Sequence, residues 1–127
     1  MKYIDKYNLW LNNPLIDSDT KLELEGLNEV EIEKRFYKDL TFGTAGIRGN
    51  MGAGSNYINN YTIGLITQGL ANYINKKNLK KVVIAYDSRY NSLEFAKLCA
   101  SILNNNNIET YIFDGVRATP ILAYAVK

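Results

Sequence analysis

The sequence reads as an α/β fold: a small mixed sheet containing a parallel strand–helix–strand unit, preceded by a helical leader. Three observations carry this. Residues 82–86, Val-Val-Ile-Ala-Tyr, and 108–113, Ile-Glu-Thr-Tyr-Ile-Phe, are β-branched and aromatic runs of strand length. Between them, apolar residues recur at helical spacing from about 92 to 104, and strand, helix and strand in that order close as a right-handed unit with parallel strands. Ahead of both, the first forty residues show helical periods and helix caps.

In the leader, Tyr3, Tyr7, Trp10 and Leu11 fall at i, i+4, i+7 and i+8, a stripe that faces a core. Asp17 and Ser18 can cap a short helix through Leu24 that Gly26 ends, and Asn28 with Glu31 makes a capping box for residues 29–38. The charges Glu29, Glu31, Glu33, Lys34 and Arg35 read as a solvated face. Further on, Ile58, Tyr61, Leu65, Gly69, Tyr73 and Ile74 keep a helical period through about Asn75. Gly64 and Gly69 each cost such a helix roughly 1 kcal/mol relative to alanine, which close packing of the helix on the sheet would explain. Asn91 or Ser92 caps the next helix, and Asn104 to Asn107 form a turn. Arg117-Ala118-Thr119-Pro120 then reads as the opening of another helix, with Thr119 as N-cap and Pro120 in the first turn.

Composition excludes several function classes. A chain of 127 residues with 46% hydrophobic content can bury a core, and a net charge of +2 with dispersed lysines makes no case for nucleic-acid or membrane binding. No apolar stretch approaches transmembrane length and the N-terminus lacks a secretory apolar segment, so the default location is cytoplasmic. That also empties the match of Asn60-Tyr61-Thr62 to a glycosylation site. Cys99, the sole cysteine, sits in an apolar helical stretch and reads as a small core residue.

Two segments carry chemistry. Residues 41–54 hold five of the nine glycines around Arg48. Glycine lets backbone approach an anion closely, so Gly43, Gly46 and Gly49 can present N–H groups while the Arg48 guanidinium grips a phosphate through two charge-assisted hydrogen bonds. A solvated turn is the competing reading, and the spacing fits neither a Walker loop nor a dinucleotide fingerprint. Asp87 and Arg89 follow the strand at 82–86, at the carboxyl end where ligands bind α/β sheets. A structural Asp–Arg brace is the alternative there.

Taken together, these segments resemble the N-terminal part of the α-D-phosphohexomutases, the phosphoglucomutase and phosphomannomutase superfamily. Phe42-Gly43-Thr44-Ala45-Gly46-Ile47-Arg48-Gly49 is similar to that family's Phe-Gly-Thr-Ser/Ala-Gly-Ile/Leu-Arg-Gly signature, and Tyr86-Asp87-Ser88-Arg89 and Thr119-Pro120 follow in the family's order. The leader, Met51-Gly52-Ala53-Gly54 and Thr67-Gln68-Gly69 resemble the branch with bacterial phosphoglucomutases and phosphopentomutase-like enzymes. Tyr57 departs from it, standing where many members carry arginine.

The resemblance implies a leader at 1–40 and a three-layer α/β/α domain I at 41–127, stopping before the family's phosphoserine loop, Thr-Ala-Ser-His-Asn-Pro, and its aspartate-rich metal loop. It implies phosphoryl transfer between the 1- and 6-positions of a hexose through a phosphoserine, with Mg²⁺ bound outside this chain and glucose 1,6-bisphosphate as intermediate. Arg48 would be catalytic, with Thr44 and Gly46 shaping the phosphate loop. Asp87 and Arg89 would orient the serine loop, and Thr119 would cap a helix beside it. The expected partners are a sugar phosphate and the remaining domains. Alone, the chain is expected to be inactive and to self-associate through uncovered surfaces. A phosphopentomutase or phosphomannomutase domain, and a noncatalytic sugar-phosphate-binding module, are the alternatives.

Overall fold

The computed structural model describes residues 2–41, 46, 47, 49–87, 92–115 and 121–126, with backbone alone at 122 and 124–126. The described residues belong to two compact units, Met1–Leu40 with Gly49–Thr62, and Thr41–Arg48 with Ile63–Lys127.

The first unit is built on three short helices, α1 (Tyr3–Asn12), α2 (Ser18–Glu25) and α3 (Glu29–Phe36). Its core is Leu24, Ile32, Phe36 and Ala53, and the expected α1 stripe, Tyr3, Tyr7, Trp10 and Leu11, packs against it. Phe36 receives two aromatic edges, from Tyr7 at 5.7 Å and from Trp10 at 5.6 Å between centroids. Such edge-to-face pairs fix ring orientation beyond what area burial alone does. Both expected caps form: Asp17 accepts from the Thr20 N–H at 3.0 Å and Asn28 from the Glu31 N–H at 2.9 Å. The Glu31 carboxylate turns instead to Arg35 Nε at 3.4 Å. Helix α3 stops at Phe36, short of residue 38, where Ser55 takes over the backbone. Its hydroxyl donates to Lys38 O at 3.0 Å and its carbonyl accepts from the Leu40 N–H at 2.8 Å.

The unit ends in the first turn of α4 (Asn60–Lys76). Asn59 Oδ1 accepts from the N–H groups of Tyr61 and Thr62, both at 3.0 Å, while Thr62 Oγ1 accepts from the Asn59 N–H at 3.1 Å. This is a reciprocal cap with threonine in the usual place of glutamate. Tyr61 ties this turn to α2, accepting from the Asp17 N–H at 2.8 Å and donating to Asp17 Oδ1 at 2.5 Å.

The second unit carries a three-stranded mixed sheet of β1 (Lys81–Tyr86), β2 (Glu109–Asp114) and β3 (Ile121–Val126), in the order β2-β1-β3. As the sequence predicts, β1 and β2 are parallel, in register from Lys81 opposite Glu109 to Tyr86 opposite Asp114. The crossover is α5 (Leu93–Asn105), which buries Ala96, Cys99, Ala100 and Leu103. Thr67 Oγ1 of α4 lies 3.2 Å from Cys99 Sγ, and burial pushes the Cys99 thiol up, so it behaves as the core residue the sequence indicated. The turn after α5 closes with Asn107 at φ 64°, a left-handed conformation that asparagine tolerates better than most residues.

Two expectations are corrected. The helix expected through about Asn75 is present as α4, with its buried face at Ile63, Thr67, Ala71 and Ile74, whereas Leu65 and Tyr73 are 75% and 56% exposed. Strict i+4 steps such as 61, 65, 69 and 73 drift by about 40° per step on a helix, whereas mixed three- and four-residue steps hold one face. Close packing does not explain the α4 glycines either. A Cβ at Gly64 would meet only Ile102 Cδ1, at 3.9 Å, and one at Gly69 would meet nothing within 4 Å.

The second correction concerns Thr119-Pro120. These residues lie outside the described ones, but from Ile121 onward the chain is strand, not helix, and runs antiparallel to β1, with Tyr86 opposite Ile121 and Lys81 opposite Val126. Unpaired, that side of β1 would leave a row of backbone donors and acceptors unsatisfied. The Ile, Tyr and Val of β3 are good strand formers.

Two tests follow from this packing. Gly69→Ala should raise stability by about 1 kcal/mol, because it removes glycine's backbone entropy cost in a helix at a site with open space around it. A melting temperature at or below that of the parent would contradict the placement of Gly69. Hydrogen bonds from the Thr20 hydroxyl, then the Tyr61 hydroxyl, hold the Asp17 carboxyl down at about 2, below its ordinary 3.8. The stability this contributes is complete above 3.8 and lost as pH falls toward about 2. In Tyr61→Phe the Asp17 carboxyl should titrate at a higher pH, read by carbon-detected NMR. An unchanged titration would remove Tyr61 as a cause.

Candidate phosphate site

Three segments far apart in sequence meet at one end of the sheet in the second unit. Strand β1 ends at Tyr86, whose carbonyl accepts from the Gly115 N–H at 2.9 Å and whose partner across the antiparallel pairing is Ile121. Ile121 is also bridged to Ile47, whose N–H donates to the Ile121 carbonyl at 2.9 Å. Ile47 and Ile121 are each 1% exposed, so the bridge is anchored by two fully buried side chains. Gly46, just before it, is buried and holds φ 91°, where an L side chain is strained. The glycine loop contributes this isolated bridge to the sheet, with no longer strand among its described residues.

Asp87 follows β1 directly and is 1% exposed. A buried carboxylate is retained only where hydrogen bonds or opposite charge offset its lost hydration. The sequence thus placed Asp87 correctly at a strand tip. Thr44, Arg48, Arg89 and Thr119 lie outside the described residues, but Arg48 immediately follows the anchored Ile47, and Thr119 precedes the anchored Ile121 by two positions.

Downstream of Arg48 the chain enters the first unit. A Cβ on Gly49 would lie 3.3 Å from Leu40 Cδ1 and 3.6 Å from Ile58 Cγ1, so this glycine is backed by apolar side chains. The Ile58 N–H donates to Asn50 O at 2.8 Å and the Gly52 N–H to Ile58 O at 3.1 Å, closing a compact loop. At its tip, Gly52 and Gly54 hold φ 147° and 127°. Asn59 Nδ2 donates to the carbonyls of Gly52 at 2.8 Å and Gly54 at 3.0 Å.

The other side of this tip is held by an ion pair from the leader. Glu23 Oε2 accepts from the Ala53 N–H at 2.8 Å and from Arg35 Nη1 at 2.6 Å, while the same Nη1 reaches Ala53 O at 3.2 Å. The Ala53 N–H, then Arg35, holds the Glu23 carboxyl below its ordinary range against the opposing effect of burial. The sequence reading missed Glu23, Arg35 and Asn59. An i, i+4 spacing of Glu31 and Arg35 was visible, but nothing in a mixed charge run marks the arginine that turns inward.

Chemically, the described part offers a backbone bridge at Ile47 in the second unit and a hydrogen-bonded loop from Asn50 to Ile58 in the first. It has no group of three or more His, Cys, Asp or Glu able to hold a metal ion, and no helix among the described residues is long and apolar enough to cross a membrane. A cleft of about 790 Å³ in the first unit is lined by Lys6, Leu9, Trp10, Asn12, Asn13, Asp39 and Ser55, none of them an expected site residue.

Comparison with known proteins agrees with this frame. Residues 39–127 match the family model described as phosphoglucomutase/phosphomannomutase, alpha/beta/alpha domain I. Phosphoglucomutases of Staphylococcus aureus strains USA300, NCTC 8325 / PS 47 and MRSA252 are each 41% identical over 120 residues, which is 94% of this chain and 22% of each relative. The chain therefore spans about a fifth of the length of these curated relatives. No solved structure matches it. With its glycine-loop anchor, its strand-end aspartate and its parallel βαβ unit all inside the matched region, the chain belongs to the phosphoglucomutase/phosphomannomutase family and carries that family's α/β/α domain I.

Proposed function

We propose that the chain is the first domain of a phosphoglucomutase-like enzyme that moves a phosphoryl group between the 1- and 6-positions of a hexose phosphate. The observation that supports the reading is the meeting of Ile47, Tyr86 with Asp87, and Ile121 at one end of the sheet; in sequence these stand one or two positions from Arg48, Arg89 and Thr119. In this reading residues 1–40 are a leader and 41–127 the domain, and the rest of the enzyme, in the cytoplasm, completes the site.

In the reaction a P–O bond to a serine oxygen breaks as one to a sugar oxygen forms, and the reverse step returns the phosphoryl group to serine from the bisphosphorylated sugar. Negative charge redistributes over the non-bridging oxygens while the bridging oxygens exchange. A fixed guanidinium stabilises that charge without exchanging a proton, which is the role assigned to Arg48. Gly46 and Thr44 shape the loop that presents it. Asp87 and Arg89, after the carboxyl end of β1, orient the serine loop, and Thr119 belongs to the segment leading into β3. Mg²⁺ and glucose 1,6-bisphosphate belong to the proposal as cofactor and intermediate. The described residues offer no donor set for the ion, and no step here is routed through it.

Phosphomannomutase and phosphopentomutase activities are the readings to separate from this one, by assaying the full-length protein on glucose, mannose and ribose 1-phosphates. A noncatalytic sugar-phosphate binder would turn over none of them.

Arg48→Ala in the full-length protein should lower turnover by roughly ten- to more than a hundredfold, with Arg48→Lys failing to rescue, because lysine cannot reproduce a two-pronged phosphate contact. The melting temperature should barely move. Asp87→Asn should instead lower both stability and activity, since it alters a group that is 1% exposed. Near-normal turnover in Arg48→Ala would remove Arg48 from the site.

A further inference from the structure

We propose that the outer flank of α1 is a binding site for a neutral oligosaccharide, seated on Trp10 and hydrogen-bonded by the asparagine, aspartate and serine side chains around it. The inference does not rest on the assignment of Arg48, and every residue it uses belongs to the first unit.

The cleft of about 790 Å³ that Trp10 lines is flanked by a second, of about 390 Å³, which shares Leu9 and Asn12 with it. Both fall within the roughly 300–1,000 Å³ of small-molecule sites. Asp5, Asn8, Leu9 and Asn12 line the smaller cleft at i, i+3, i+4 and i+7, one face of α1 turned away from its core stripe. From Asp5 to Asn12 the helix advances about 10 Å. The surface therefore takes a ligand longer than one sugar ring.

Trp10 is held in place before any ligand arrives. Its ring meets Phe36 and Tyr61 edge to face, each at 5.6 Å between centroids, with interplanar angles of 82° and 74°. Two such contacts fix the plane of the indole, so a ligand lying against it does not have to order it. A sugar ring offers an apolar face of C–H groups to such a surface and carries its hydroxyls around the rim.

The polar lining suits those hydroxyls. Asn13 Oδ1 accepts from the Leu15 N–H at 2.9 Å, which leaves Nδ2 to donate. Ser55 Oγ donates to Lys38 O at 3.0 Å, which leaves its lone pairs to accept. Asp39 Oδ1 takes Lys6 Nζ at 3.0 Å, while Asp39 Oδ2 and the Asn12 side-chain amide have no partner among the described residues. Hydroxyls donate and accept together and use such a mixed set, whereas an ionised phosphate only accepts. Charge points the same way: Asp39 balances Lys6 and Asp5 adds a further negative charge, which repels an anion. A protein partner fits less well, because only Leu9 and Trp10 are apolar among the residues lining the two clefts, and the centre of a protein interface is depleted of charged side chains.

The experiment uses the full-length protein labelled with 5-fluorotryptophan, following the Trp10 fluorine resonance, assigned by its loss in Trp10→Phe, which keeps an aromatic ring against Phe36 and Tyr61. Maltotriose, cellotriose and mannotriose are titrated in turn, and inorganic phosphate separately. At least one trisaccharide should move the Trp10 resonance saturably, and phosphate should not. Asn12→Ala and Asp39→Ala should each weaken that binding roughly two- to tenfold, the size of one lost hydrogen bond. Both residues are exposed, Asp39 at 72%, so the substitutions leave the fold intact. A resonance that no trisaccharide moves would overturn the proposal, as would parental affinity in both variants. Phosphate moving it as strongly would overturn the neutral ligand class. Movement with protein concentration and not with saccharide would make the flank an interface between copies and would likewise overturn the proposal.

Discussion

A loop that leaves helix and strand behind must still find partners for every buried backbone group, and the solution around Ala53 governs the first unit. Its N–H and carbonyl turn to a carboxylate and a guanidinium that also bind each other. Charge-assisted hydrogen bonds of this kind are roughly twice as strong as neutral ones. Asn59 does the complementary work on Gly52 and Gly54 while its Oδ1 caps α4. One side chain thereby couples loop geometry to the start of the longest helix. The glycines at 52 and 54 are required by the same arrangement, since their positive φ values turn the chain toward the ion pair and the Arg35 backbone leaves no room for a side chain at 54.

The second unit solves the same problem with a sheet. Parallel pairing to β2 satisfies one side of β1 and antiparallel pairing to β3 the other, and α5 covers part of the result. Strand β2 has its own outer edge, and Tyr111 and Phe113 remain 48% exposed there. The central strand is different: Val82, Ile84 and Ala85 are almost fully enclosed. The strand that leads into Asp87 is therefore paired on both sides and enclosed.

What was legible in the sequence was whatever depends on neighbours a few residues away. The α1 stripe, the Asp17 and Asn28 caps and the βαβ unit all follow from local period or local hydrogen bonding, and all are present. The helix α4 was legible but its buried face was not, because two of its buried positions are threonines, acceptable there since Thr62 bonds Tyr57 O at 2.7 Å and Thr67 meets Cys99. Strand β3 was misread because Thr-Pro is a sound local signal for a helix start, and only the open side of β1 outweighs it. Of the site, Asp87 at a strand tip and Gly46 in a conformation suited to glycine were readable. The Ile47–Ile121 bridge and the Glu23–Arg35 ion pair were not, because they join residues that no local pattern relates.

That bridge has a consequence for how the chain becomes ordered. Ile47 leaves the ribosome long before Ile121, and the contact between them closes one of the longest loops in the molecule. Loop closure costs entropy that only later contacts offset, so such pairings form late. The helices of the leader, whose contacts are short in sequence, can assemble meanwhile. During synthesis the hydrogen bonds of Asn50 and Gly52 to Ile58 can thus form before the bridge of Ile47, which waits until β3 emerges and pairs with β1. The backbone anchor at Ile47 would therefore form only once β3 has been translated.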